Sequence, residues 1–532
     1  MKSFFLYIFL VAIATFSCQK KELVPLAHKK NNQSICINFI YTPLSLDPRK
    51  HTDPVTKALS FMLYEGLTRL EPDGTLSMAV AEQVDISKDK KSYTFHLKKK
   101  CMWSDGTALT AHDFEASWKN LLHPNFPSRS ASLLFAIKNA ERAKQGQCSL
   151  EQIGVKAIND TQLYVELTKP TPYFLELTAF CTYFPVPSYR KVVSHPSQGQ
   201  TKVFNGPFIL KSWVENSTLM VQKNPYYWNK QMVGLDEIQI MIINDEATAF
   251  HMYEQGYIDW IGGAISPLPL DVIHNRSNVQ KCPIAGTTIS TFNTLSYPFN
   301  NVNIRKAFAY SINRKDIVNN ITIFDEIATG PVPHILKNST QTLFTDHSEE
   351  LAKQYFNLGL QELGITQKDL PTIIYHYFTS ELQRNLALYL QSVWKKVLGV
   401  EVQIKCHELK THLTKLRNRD FQIAQMSWIG HYHDRMSFLN RFYTKNGFCN
   451  YSSWENAHYN QLIEQSFYKK SQERNILLEH AEKIIINEMP IIPICHHHLV
   501  YIQNIQLKNV MISPLGDIQF HKAFLKQEKI SS

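Results

Sequence analysis

The stretch SELQRNLALYLQSVWKKVLGVEVQI, Ser380 to Ile404, contains one complete structural unit. Ser380 is a residue that caps helix N-termini. Leu382, Leu386, Tyr389, Val393 and Val397 then recur at three- and four-residue steps, as one apolar stripe of a helix does. Gly399 offers the left-handed position that closes such a helix. Val400, Val402 and Ile404 alternate with polar residues, the period of a half-buried strand. Helix, glycine, strand is the rhythm of an α/β domain.

The same rhythm extends outward. Tyr93, Phe95 and Leu97 alternate as a strand, and Ser104-Asp105-Gly106 turns the chain. Thr110 with Asp113 reads as a capping box opening a helix through Trp118 and Leu122. Gly154 to Leu167 reads as two short strands around Asn159-Asp160, and Ser348 to Gly364 as another helix. The chain has 532 residues, enough for several cores, and shows no internal repeat.

At the N-terminus Lys2 precedes an apolar run, Phe4 to Phe16, too short to span a bilayer and suited to a signal peptide. The run ends at Ser17-Cys18, which resembles the lipidation site of bacterial lipoproteins although Thr15 stands where leucine is usual. Residues 1–17 are thus expected as signal peptide. Residues 18–34 are expected as a lipidated tether, with Cys18 anchoring the protein at the periplasmic face of a bacterial membrane. The formal net charge is +10, or +9 from Cys18 onward because Lys2 is the only charge before it. This balance suits acidic ligands, while the absence of basic arms and motifs argues against nucleic acid. Eight further cysteines are widely spaced with no Cys-x-x-Cys, so zinc ribbons and thioredoxin chemistry are not expected.

Enzyme signatures are missing: no Gly-x-Ser-x-Gly, no Walker loop, no Gly-x-Gly-x-x-Gly. His407 and His412 are five apart, where a zinc-protease pair needs four, and read as surface histidines. His496, His497 and His498 cannot all converge if extended, since strand side chains alternate. His431 and His433 would share a face, but only Asp434 could complete a metal set nearby.

Several motifs succeed one another along the chain. They are Ser45-Leu46-Asp47-Pro48, Leu63-Tyr64-Glu65-Gly66-Leu67, Trp103-Ser104-Asp105-Gly106 with Thr110-Ala111-His112-Asp113-Phe114, and Ser117-Trp118. Asn205-Gly206-Pro207-Phe208, Asn224-Pro225-Tyr226-Tyr227-Trp228 and Phe299-Asn300-Asn301-Val302 continue the series, and Trp428 through Asn440 completes it. Together they resemble the oligopeptide-binding proteins of ABC importers, the peptide- and nickel-binding family 5 of extracellular solute-binding proteins. The resemblance implies an α/β, two-lobed type II periplasmic-binding fold with an additional α/β domain and a hinged cleft. Residues 35–57, 185–290 and 496–532 would form lobe I, 58–184 the extra domain, and 291–495 lobe II. It also implies a monomer without catalysis, cofactor or resident metal, which hands peptides to permease subunits.

The implied ligand contacts are Ser427, Trp428, Ile429, Gly430, His431 and Tyr432, with Arg417 or Arg419 near the peptide C-terminus. The departures are informative. The family's peptide binders carry an aspartate three residues after the tryptophan, against the peptide α-ammonium; here that position is His431. An arginine three before the tryptophan is replaced by Gln425, and a cysteine pair bridged in some members would fall near Gly286 and Ile429. A neutral imidazole accepts one hydrogen bond but supplies no full negative charge. Relaxed demand for a free amine and a preference for acidic, N-blocked or wall-derived peptides follow, with Asp434 as a substitute acid. The other reading on this scaffold is a nickel or metal-chelate binder using His431 and His433.

Overall fold

Eleven strands form the main sheet of the computed structural model, which describes residues 33–50, 53–188, 203–337, 342–445, 447 and 449–527. The expected signal peptide, Cys18 and most of the tether lie outside the described residues. The strands are β1 (Ser34–Phe39), β2 (Phe208–Val214), β3 (Thr218–Lys223), β4 (Glu237–Ile242), β5 (Trp260–Gly262), β6 (Gln280–Phe292), β7 (Glu326–Ile327), β8 (Ile373–Phe378), β9 (Val402–His407), β10 (Ile423–Ile429) and β11 (Ile491–Gln503). Their order is β9-β8-β10-β6-β11-β5-β1-β4-β3-β2, with β7 on β11.

The two longest strands join the halves of this sheet. β6 and β11 run antiparallel from Gln280–Tyr501 to Pro283–His498, lose register, and resume at Thr287–His496. On one side of the break Tyr501–Gln503 pair with β5. On the other, His496 pairs with Glu326 and β6 pairs with β10. A bulge bends its strand, and this one lies where the two halves meet. Gly286 and Ile429 face each other directly across β6 and β10, so the positions where the resemblance puts a bridge are neighbours. All eight described cysteines are free thiols.

The Ser380 stretch folds as a helix, Glu381–Leu398, joining parallel strands β8 and β9. Gly399 takes φ 69° and closes it. Its buried stripe is rotated from the expected one. Gln383, Leu386, Ala387, Leu390, Trp394 and Val397 are buried, whereas Leu382 is not; Leu382, Gln383 and Leu386 all line a cavity. The stripe turns because Trp394, fully buried with its indole N–H donating to the Phe308 carbonyl at 3.0 Å, is the largest group the core must enclose. Its removal would cost roughly 3–5 kcal/mol.

A second, four-stranded antiparallel sheet comprises Ala81–Ile86, Ser92–Leu97, Gln162–Glu166 and Val155–Asn159, in that spatial order. Tyr93, Phe95 and Leu97 are buried and their neighbours are not, as the alternation requires. The helix Ala111–Leu121 opens on the Thr110–Asp113 capping box. Asp113 also accepts from the Trp103 indole at 3.2 Å and from the Ser188 amide at 2.8 Å. The Trp103 to Trp118 signature is therefore a folding element of this domain.

The structure corrects the reading of His407 and His412. His412 is buried, its Nε2 2.7 Å from the Gln425 carbonyl oxygen, and burial lowers its pKa. His407 stacks on His376, with ring nitrogens 2.9 Å apart. Burial beside that neighbour pushes His376 down to about 4.

Candidate functional site

A cavity of about 1400 Å³ is walled by three parts of the chain. The helix Pro54–Leu63 contributes Lys57 and Phe61, the smaller sheet's domain contributes Tyr173 and Phe180, and the β6–β10–β11 region supplies Thr288, Ser427–Tyr432 and His497. Small-molecule pockets occupy roughly 300–1,000 Å³, so this one has room for several linked residues.

β10 places the expected ligand contacts. β8 pairs with β10 only at Tyr375–Ile423 and His376–Ala424. Beyond them β10 continues to Ile429 with β6 as its strand partner on one side. Ser427, Trp428, Ile429, Gly430, His431 and Tyr432 all line the cavity. Ser437 folds the following loop back: its carbonyl accepts from the Trp428 indole and its hydroxyl from the His431 amide, each at 2.9 Å. The His431 ring lies 4.8 Å from that of Trp428 and 5.6 Å from that of Phe180, centroid to centroid. Tyr432 stacks flat on Tyr173 of the smaller domain at 4.3 Å.

Three sequence-level assignments move. After Ile429 the chain bends, so His431 and His433 do not share a face. His433 packs against Gly74, outside the cavity lining. Asp434 is no substitute acid for the cavity: Arg474 holds it bidentately at 2.7 and 2.8 Å, and it also accepts from the Met436 amide. Arg417 is absent from the lining; it lies beside Tyr451. Gln425, in the place of the family's arginine, donates to Gln383 as a neutral amide pair.

Sequence reasoning missed Arg441. It lines the cavity with its guanidinium 3.8 Å from the Trp428 ring centroid. An arginine thirteen residues from its partner, in a region without regular period, leaves no signal in the sequence. His496 and His497 meet different partners, and His498 also lines the cavity. His496 turns to Thr287 at 3.0 Å, and His497 lines the cavity with its Nε2 2.8 Å from the Thr288 hydroxyl. Asp325, Cys495 and His497 bring potential metal-ligand atoms within 4.8 Å of one another. Protein partners already engage each: Cys495 donates to Asp325 at 3.3 Å, and His497 faces Thr288.

The model of the bacterial extracellular solute-binding proteins, family 5 (middle), matches residues 75–450. The chain belongs to that family. It is 37% identical over 511 residues to the oligopeptide-binding protein OppA of Bacillus subtilis, covering 93% of each chain. Among solved structures, a periplasmic oligopeptide-binding protein of Borrelia burgdorferi (OppAIV) superposes with a TM-score of 0.79 at 27% identity. That alignment covers 93% of this chain and 100% of the other. The murein tripeptide-binding protein MppA of Escherichia coli gives 0.78 at 26% identity, covering 94% and 99%. The family 5 match and these solved structures show the two-lobed α/β type II architecture.

Proposed function

We propose that this chain captures oligopeptides in the cavity and delivers them to the permease of an ABC importer. The observation that carries the reading is the cavity itself: about 1400 Å³, with the end of β10 along one wall. An extended peptide can add to a sheet edge by main-chain bonds, while a roomy, wettable cavity tolerates varied side chains. The names of the Bacillus and Borrelia relatives support the same ligand class. Capture needs no catalysis. Ligand touching both lobes favours their closure through its differential affinity, and the bulge of β6 and β11 is the place for the hinge. The lobes are residues 35–57 with 185–290 and 496–532, and 291–495; residues 58–184 form the additional wall.

Mass spectrometry of ligand released from purified protein, with calorimetry on peptide mixtures and on nickel, tests this. Peptides are expected in the eluate, and heat with peptides only. Heat with nickel alone would overturn the reading, which the separation of His431 from His433 already disfavours. Cys18 is the lipid anchor in this scheme, two acyl chains being needed for stable attachment; Cys18→Ser should shift the protein to the soluble fraction. His431 relaxes the demand for a free α-amine, because the charge-assisted bond an aspartate would give is worth about 1.5–3 kcal/mol. Matched free and N-acetylated peptides should bind within about tenfold of each other, and His431→Asp should restore preference for the free amine.

A further inference from the structure

Six arginines are buried among the described residues, and five have a carboxylate or several carbonyls on the guanidinium. Arg49 pairs with Asp47 at 2.8 Å, Arg314 with Asp346 at 2.9 Å, Arg474 with Asp434 at 2.7 Å and Arg435 with Glu479 at 3.4 Å. Arg305 donates to the carbonyls of Phe299, Glu488 and Met489 at 2.5–3.1 Å. Arg441 differs. Among the described residues its Nη2 reaches only the Met426 thioether and the Cys449 carbonyl, both at 3.4 Å, and its buried Nη1 has no hydrogen-bond partner. Among the described residues no carboxylate forms an ion pair with it. It is also the only one of the six that lines the cavity.

A guanidinium withdrawn from water without a counter-charge is unfavourable until an anion arrives. The cation lies over the Trp428 ring and has Tyr451 at 5.7 Å. Aromatic faces favour a cation but cannot neutralise it. Planar guanidinium donors match the two oxygens of a carboxylate. We infer that Arg441, seated on Trp428, is the receptor for a carboxylate of the captured ligand. Both the α-carboxylate of a peptide and an acidic side chain offer this chemistry. The inference rests on the proposed peptide capture and specifies which end or side chain the Trp428 end of the cavity prefers.

The test uses the whole mature protein and calorimetry on matched peptides in two arms. One arm compares free with amidated C-termini, the other internal Glu with Gln. Wild type is expected to favour the carboxylate form at least tenfold in one arm, and that arm identifies the source. Arg441→Met should abolish the preference while retaining peptide binding, and Arg441→Lys should keep part of it. Because preference in the wild type is read from the ligand side, the result does not depend on whether Arg441→Met folds. Peptide binding without a carboxylate preference in either arm, or an unchanged preference in Arg441→Met, overturns this inference alone. Failure of every peptide to bind wild type overturns capture and the subsite together.

Discussion

Two regions meet at the loop after β10, and they treat charge in opposite ways. On its outer side the part of the chain that holds the smaller sheet packs against residues 432–467 through groups that satisfy one another. Tyr173 lies on Tyr432, and Lys169 pairs with Glu464 at 2.8 Å and lies over Phe467; beside them Asp434 is clasped by Arg474 from its own side of the contact. On its inner side, at the Trp428 end of the cavity, Arg441 has no carboxylate partner among the described residues, and His431 lines the wall. Paired charges make a surface that holds two parts together. Unpaired ones make a surface that waits for a ligand, because the missing partner must come from outside.

The largest contrast should come from removing one arginine on each side. Arg474→Met leaves Asp434 without its cation and should cost about 3–5 kcal/mol in denaturant unfolding, as breaking a buried pair does. Arg441→Met removes an uncompensated charge and should leave the ligand-free protein equally stable or more so. Equal losses at both positions would erase the distinction between the two sides.

Glu176 provides the next test. It belongs to the smaller domain, and desolvation, then Asp434, push its carboxyl from 4.5 up to about 7; its Oε2 has no hydrogen-bond partner. The folded chain therefore holds a proton that the unfolded chain has released. Stability from this group is full below about pH 4.5 and is lost as pH rises to about 7, at about 1.4 kcal/mol per unit of pKa difference. Glu176→Gln should flatten that decline. His376 has the opposite sign: held neutral down to about 4, it lowers stability as pH falls from 6.5 to 4.

Smaller effects should map the docking face. A double-mutant cycle on Tyr173→Ala and Tyr432→Ala should show coupling of about 0.5–1.5 kcal/mol from the stacked rings. The Lys169–Glu464 pair is partly exposed and should contribute about 0.2–1 kcal/mol, declining with added salt. If that pair proved stronger than the ring stack, the face would be electrostatic rather than aromatic in character.

The sequence by itself determined the local units. The Ser380 cap, the Gly399 close and the alternation after it specify helix, turn and strand by residue type and period alone. The capping box at Thr110 works the same way, and the ordered motifs from Ser45 to Asn440 give the family. Trp428 to Tyr432 were legible as cavity residues because they sit in one such motif. Tertiary structure alone decided which charges remain unpaired. Arg417 and Arg441 look alike in sequence, and so do His431 and His433. Their difference comes from where the chain bends after Ile429 and from which acid a distant helix presents. Arg474 neutralises Asp434 across forty residues, His412 goes inside against β10, and no described carboxylate pairs with Arg441. Periodicity records which face of an element is buried; it carries no record of which distant group that face will meet.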